Sequence, residues 1–218
     1  MKKQNKNFQN TIVNLSKHYD DLVERHGDNV KSSQQSDKKT RDIRMLNLVK
    51  YVNLKKKITI LDFGCGTGYL FRYLKKNKFT GFYTGIDISN KAILKAKHIY
   101  QKHKNCNFET INIFQNPLKK KFDYIIINGT FNNNTENNWQ WMKKSLKILI
   151  KITKKKIIFN NLSIYVDYFD KRLFYIHPNK VLNFVKSELS KNCILDHSYI
   201  LKKNVLPYEF TTVILKDE

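Results

Sequence analysis

Cysteine, proline, arginine and acidic residues are all scarce in this chain. The three cysteines, Cys65, Cys106 and Cys193, are odd in number and far apart. That argues against a disulfide framework and for a reducing compartment. No set of cysteines and histidines has the spacing of metal ligands, so no metal is expected. No apolar run approaches the roughly 18 residues that a membrane-spanning helix needs. The opening M-K-K-Q-N-K-N-F-Q-N is not followed by an apolar core and does not read as a secretory signal. A cytoplasmic protein with no membrane partner is the expectation. Acid is the rarer sign of charge, 18 residues against 41 basic ones, for a net charge of +23. A basic surface attracts phosphates. Yet 36 of the basic residues are lysines, in runs scattered over 55–57, 75–76, 119–121 and 154–156. Arginine, the fork that grips phosphate and base edges, occurs five times. A background rich in Lys, Asn and Ile explains the charge without a nucleic acid, and no specific nucleic-acid partner is expected. A small polar or anionic partner fits either account.

Glycine is also sparse, at seven residues, but three of the seven stand at alternate positions in Ile60-Leu61-Asp62-Phe63-Gly64-Cys65-Gly66-Thr67-Gly68-Tyr69-Leu70. A short apolar strand ends in an acid, the glycines follow, and a helical pattern starts at Tyr69. Glycines there permit a tight turn and close approach of a ligand to the backbone. The new helix offers unpaired amides at its start. The order G-x-G-x-G after a strand-end Asp differs from the dinucleotide fingerprint G-x-G-x-x-G. A second acid, Asp87, ends Tyr83-Thr84-Gly85-Ile86-Asp87, 19 residues after Gly68. That is where a carboxylate gripping ribose hydroxyls falls in a βαβ unit.

The chain length of 218 residues suits one domain, 1–218, with helical decoration over 1–54 and an alternating core over 55–218. Ile12, Val13, Leu15, Tyr19, Leu22 and Val23 form an amphipathic stretch. Gly27 to Thr40 is polar and reads as a mobile loop, part of a lid. Helical periodicity resumes over Arg41–Val52. Strands are expected at Ile58–Phe63, Phe82–Asp87, Asn107–Ile113, Phe122–Asn128, Lys156–Asn160, Cys193–Ile200 and Phe210–Leu215. Helices are expected at Tyr69–Lys76, Lys91–Lys102, Trp139–Lys151 and Asn179–Ser190. Strands alternating with helices indicate an α/β fold with a mainly parallel sheet between two helical layers.

Several motifs carry a family resemblance. I-L-D-F-G-C-G-T-G-Y-L at 60–70 resembles motif I of the class I S-adenosylmethionine-dependent methyltransferases, and G-I-D-I-S at 85–89 resembles their second motif. F-D-Y-I-I-I-N-G-T-F-N at 122–132 is similar to their strand-four motif, and L-P-Y-E-F-T at 206–211 to their entry into the last strand. H-Y-D-D-L-V-E-R-H-G at 18–27 is similar to the N-terminal lid of small methyltransferases encoded among bacterial surface-polysaccharide genes. The resemblance implies a Rossmann-like seven-stranded sheet in three αβα layers. Its antiparallel last strand lies between strands five and six, and a helical lid precedes the sheet. It also implies S-adenosylmethionine as cofactor.

On that reading the cofactor is held by Tyr19, Asp62, Phe63, Gly64, Cys65, Gly66, Tyr69, Asp87, Ile88, Asn112, Ile113 and Asn128. Gly64 and Gly66 lie against the amino-acid tail and ribose, Asp87 accepts from the ribose hydroxyls, and Ile88 packs on adenine. Asn112 stands where many relatives have Asp; its oxygen still accepts a hydrogen bond, as a neutral partner. Methyl transfer needs alignment and a dry site above all. A base is needed only for a weakly acidic hydroxyl, and His26, Asp167 and His197 are the candidates. Asn128, His26 and Asp167 are the catalytic candidates, and His26, Gly129, Phe131, Asn132 and Tyr165 the acceptor wall. Asn128 is followed by Gly-Thr-Phe, without the proline pair common in enzymes that methylate base amines. The expectation is therefore O-methylation of a sugar, sugar-phosphate or phosphoramidate intermediate of capsule or surface-polysaccharide assembly. An RNA methyltransferase and a non-catalytic partner subunit are the alternatives.

Overall fold

The computed structural model describes residues 2–34, 37–203 and 205–217. Two helices precede the sheet: α1 (Lys2–His26) and α2 (Lys38–Val49), joined through a 3-10 turn at Val30–Ser33. The alternating part runs β1 (Thr59–Phe63), α3 (Tyr69–Lys76), β2 (Phe82–Asp87), α4 (Asn90–Tyr100), β3 (Cys106–Thr110), β4 (Phe122–Ile127), α5 (Asn138–Leu149) and β5 (Thr153–Ser163). It ends with β6 (Tyr175–Ile176), α6 (Pro178–Glu188), β7 (Cys193–Asp196) and β8 (Glu209–Leu215).

The sheet order is β3-β2-β1-β4-β5-β8-β7, with β6 paired to β5 beside that path. Strands β1 to β6 pair in parallel, and β8 is antiparallel to both β5 and β7. The expected insertion of the last strand is thus found, with one correction: the two-residue β6 makes the strands eight. It is too short to carry a hydrophobic period. β5 is longer than expected and runs through Ser163, because β8 pairs with it as far as Leu162.

Alternation along the strands builds two cores. Leu61 and Phe63 of β1, Ile125 and Ile127 of β4, and Ile157 and Phe159 of β5 face one side, under α5 and α6. Ile60, Tyr124, Ile126 and Ile158 face the other, under α2, α3 and α4. Successive side chains of a strand point to opposite faces, and a parallel sheet covered on both sides reads as a nearly continuous apolar run, as Tyr-Ile-Ile-Ile does in β4. In α3, Leu70, Phe71 and Leu74 are buried while Lys75 and Lys76 occupy the last turn, where cations suit the helix dipole.

The N-terminal helices are not loosely attached. Ile12 and Leu15 of α1 belong to the first core, and Met45, Leu48 and Val49 of α2 to the second. The polar stretch 27–40 is also more regular than a mobile loop. Asn29 caps the 3-10 turn by accepting from the Lys31 amide, and Asp37 caps α2 by accepting from the Thr40 amide at 2.8 Å. Gln35 and Ser36 of that stretch lie outside the described residues.

Candidate active site

The sheet order reverses between β1 and β4, so their C-terminal ends open a crevice, the place where ligands bind in open α/β sheets. A cavity fills it, floored by the glycine turn and roofed by α1, the 3-10 turn and α2.

At the floor, Gly64 has φ +78°, and a Cβ there would stand 2.3 Å from the Thr130 hydroxyl, which itself donates to the Phe63 carbonyl at 2.9 Å. Gly66, at φ +52°, has nothing within 4 Å of such a Cβ, so its backbone faces open space. Gly68 gives α3 no side-chain cap, leaving first-turn amides to a ligand. Asp87 ends β2 with both oxygens engaged: the Gly66 amide donates to Oδ2 at 2.8 Å and the Ser89 amide to Oδ1 at 2.9 Å. Burial pushes its carboxyl above the usual range, against the pull of those amides. Each oxygen keeps a further lone pair for a hydroxyl donor. Asp62 is deeper. The Tyr83 hydroxyl donates to it at 2.6 Å, and burial pushes its carboxyl up to about 7, with the nearby Asp87 charge adding to the rise. Burial likewise raises the Cys65 thiol, which marks a packed thiol rather than a nucleophile.

One end of the cavity is apolar, lined by Ile88, Ile111, Ile113 and Phe114. Asn112 sits there and accepts from the Phe114 amide at 3.1 Å, an Asx turn that leaves its oxygen a second lone pair. The other end is rich in amides: Asn128, Gly129, Thr130, Asn132 and Asn133 follow β4. Asn160 of β5 holds that loop. Its oxygen accepts from the Gly129 amide at 2.7 Å and its nitrogen donates to Asn128 at 3.2 Å.

The roof is bolted on by named bonds. Ser16 donates to the Ile88 carbonyl at 2.9 Å, and Asp20 accepts from the Ser89 hydroxyl at 2.6 Å and the Lys91 amide at 3.0 Å, at the start of α4. Asp28 accepts from Thr67 at 2.7 Å and pairs with Arg72. The Tyr19 hydroxyl accepts from Asn133 at 3.0 Å; burial and the Asp87 charge push that phenol up, so it stays protonated. From α2, Asp42 pairs with the Tyr69 hydroxyl and Arg44 with Glu209 of β8 at 2.8 Å. Glu209 also accepts from Asn160 at 2.8 Å and Tyr199 at 3.2 Å.

All twelve residues expected at the cofactor line this one cavity: Tyr19, Asp62, Phe63, Gly64, Cys65, Gly66, Tyr69, Asp87, Ile88, Asn112, Ile113 and Asn128. Gly129 and Asn132 of the acceptor set line it as well. Five others stand elsewhere. His26 ends α1 outside the lining, and Asp167 is exposed beyond β5. Tyr165 is 51% exposed and bonds His177 at 3.1 Å, because the chain has already left the sheet there. Phe131 is fully buried against Phe63, Trp141 and Phe159. His197 bonds the Pro207 carbonyl at 2.6 Å, outside the lining. Among the described residues no histidine lines the cavity, and none form a three-ligand metal cluster. Reading the sequence missed Arg41, Arg44, Asn160 and Glu209; the scarcity of arginine, with two of five in one helix, was the available signal.

A family profile described as a methyltransferase domain matches residues 54–204, well over half of the chain. The chain belongs to this family. It is an S-adenosylmethionine-dependent methyltransferase. A Mycobacterium tuberculosis protein described as a methyltransferase is 29% identical over 174 residues, 77% of this chain and 99% of that one. The malonyl-[acyl-carrier protein] O-methyltransferase of Acetivibrio thermocellus is 36% identical over 77 residues, 35% of this chain and 27% of that enzyme. In fold, the chain is similar to the magnesium protoporphyrin IX methyltransferase of Synechocystis solved with bound S-adenosylmethionine. The TM-score is 0.65 at 17% identity, covering 95% of this chain and 97% of that one.

Proposed function

We propose that the cavity holds S-adenosylmethionine with its ribose on Asp87, its adenine between Ile88 and Ile113 and its amino-acid tail over Gly64 and Gly66. The amide-rich loop after β4 would then be left to meet the acceptor. The observation that carries this reading is the twelvefold convergence on one cavity around Asp87, whose carboxylate is fixed by the Gly66 and Ser89 amides. The cofactor supplies an electrophilic methyl on a positive sulfur. Asp87, Gly64 and Gly66 would hold the cofactor, and that methyl would pass to an acceptor oxygen, the carbon–sulfur electron pair staying with sulfur; an oxygen that is already ionised would have no proton to place, whereas a hydroxyl would have to release one. Asn128, Gly129, Asn132 and the roof orient the acceptor and exclude water.

The acceptor is a small polar molecule, and the reaction is O-methylation of a sugar, sugar-phosphate or phosphoramidate intermediate of surface-polysaccharide assembly in the cytoplasm. Support comes from the wall of asparagine amides, suited to hydroxyls and phosphoryl oxygens, and from the lid-like segment at 18–27. The enzymes similar to this chain are named for unlike acceptors, malonyl-[acyl-carrier protein] and magnesium protoporphyrin IX, so the acceptor is argued from the wall itself. The test is calorimetry with S-adenosylhomocysteine, followed by transfer of labelled methyl to matched sugars, sugar phosphates, phosphoramidates and RNA. Asp87→Ala weakens S-adenosylhomocysteine by about 1.5–3 kcal/mol, the value of hydrogen bonds to a charged acceptor; unchanged affinity removes Asp87 from the ribose. RNA binding is weak and fades steeply with salt, and methylation of RNA in preference to the small molecules would overturn the acceptor reading.

A further inference from the structure

The cavity holds two buried polar atoms without a hydrogen-bond partner, Arg41 Nε and Asn132 Oδ1. They are of opposite kind, a cationic donor and a neutral acceptor. Arg41 is 7% exposed and lies on α2, its guanidinium carbon 3.3 Å from the centre of the Tyr69 ring. The ring covers one face of the guanidinium. Ser32, Ser33 and Gln34 of the roof line the same cavity. Among the described residues no ion pair reaches Arg41, whereas the neighbouring Arg44 is taken by Glu209 and Arg72 by Asp28. The rest of the guanidinium bonds the Tyr69 hydroxyl, which Asp42 holds in turn, so the unfilled position is Nε; a buried Nε–H without an acceptor is costly, and the fork geometry of arginine suits a carboxylate or phosphate there.

The chemistry of the site points the same way. The carboxylates lining the cavity are Asp62, bonded by Tyr83, and Asp87, bonded by two backbone amides. Neither is free at the amide-rich end, and the lining has no histidine among the described residues. A weakly acidic hydroxyl would find no base there. An acceptor that brings an ionised oxygen needs none, because no proton has to leave when that oxygen is methylated.

We propose that Arg41 is the oxyanion subsite for the methyl acceptor, which carries a carboxylate or phosphate, and that Asn132 receives a hydrogen bond from a hydroxyl or amine on the same molecule. The inference rests on the methyltransferase reading of the cavity and narrows its acceptor to anions. S-adenosylhomocysteine also carries a carboxylate, so the test separates the two sources. Protein saturated with S-adenosylhomocysteine is titrated with inorganic phosphate and with acetate at physiological ionic strength, as parent, Arg41→Gln and Arg41→Lys. The parent binds one anion per chain; Arg41→Gln loses at least about tenfold in that affinity, as expected for a charged hydrogen bond, and Arg41→Lys recovers part of it. The affinity for S-adenosylhomocysteine stays within about twofold throughout, and circular dichroism checks that the variants fold. In the transfer assay, of each matched pair the phosphorylated or carboxylated member is methylated, with Arg41→Gln raising its KM more than it lowers kcat. A tenfold loss of S-adenosylhomocysteine affinity in Arg41→Gln would assign Arg41 to the cofactor and overturn the proposal. So would a parent complex that binds neither anion, or methylation of the neutral members alone. Failure of the parent to bind S-adenosylhomocysteine at all sinks the broader reading instead.

Discussion

Removing the Glu209 carboxylate tests how the roof, the sheet and the β4 loop are held as one unit. Its side chain is fully buried, and that of Arg44 is 12% exposed. One carboxylate satisfies three donors from three places: Arg44 of α2 at 2.8 Å, Asn160 of β5 at 2.8 Å and Tyr199 at 3.2 Å. Glu209→Ala strands a buried guanidinium, a loss of about 3–5 kcal/mol for a broken buried pair, with Asn160 and Tyr199 each losing a bond besides. Glu209→Gln keeps one acceptor oxygen and the shape, and costs about 1.5–3 kcal/mol, the value of hydrogen bonds to a charged group. The measurement is urea unfolding followed by the fluorescence of Trp139 and Trp141, with m-values checked for constancy. A cycle with Arg44→Met isolates the pair: Glu209→Gln costs less once Arg44 is gone, because no buried charge is then left alone. Because Asn160 also anchors the Gly129 amide at 2.7 Å, kcat falls in Glu209→Gln even where most of the protein stays folded. A Glu209→Ala protein within about 1 kcal/mol of the parent, the effect of an ordinary substitution, refutes the account of this network.

Two further outcomes follow from the floor of the site. The raised Asp62 carboxyl means that the folded protein holds a proton that the unfolded chain releases between its ordinary value of 3.8 and about 7. In that window this group makes stability fall as pH rises, by up to about 1.4 kcal/mol per unit. Asp62→Asn, which keeps an acceptor for Tyr83, flattens the slope; identical slopes in stepped-pH urea titrations would falsify that assignment. Gly64→Ala meets both a positive φ and the Thr130 hydroxyl at 2.3 Å, whereas Gly66→Ala meets only the positive φ. Thermal unfolding therefore drops much further for Gly64→Ala, and Gly66→Ala loses about 1–2 kcal/mol, the cost of a left-handed backbone for an L-residue. Equal losses would show that the Thr130 contact relaxes.

The parts of the protein that were legible in sequence are those whose signal is local. The limits of α3 and β2 match expectation residue for residue, because glycines punctuate them and a clear period runs between. The twelve residues expected at the cofactor come together in one cavity because most of them stand at or just after strand ends, which can be read one strand at a time. The acceptor side was not. Arg44 and Glu209 are 165 residues apart, and no local pattern marks such a pair. Glu209 reads as an ordinary acid before an apolar strand, and burial alone gives it three partners. His26 and Asp167 looked chemical by residue type, but the helix end and the exit from β5 carry them outside the lining. The polar stretch 27–40 misled for a related reason: Asn29 and Asp37 mark helix starts as readily as loops.

The bolting of α1 has a consequence for the rate of turnover. Its Ile12 and Leu15 are at once core residues and part of the cavity wall, Asp20 ties its second half to the start of α4, and Asp28, just beyond its end, ties the chain to the start of α3. On the proposed placement of the cofactor, its spent form is expected to leave through a local unfolding event rather than the swing of a free flap. Release then has the steep temperature dependence of breaking a packed helix contact. Amides of α1 exchange with deuterium at the pace of product departure, and a loosened α1 gives a faster enzyme that melts earlier.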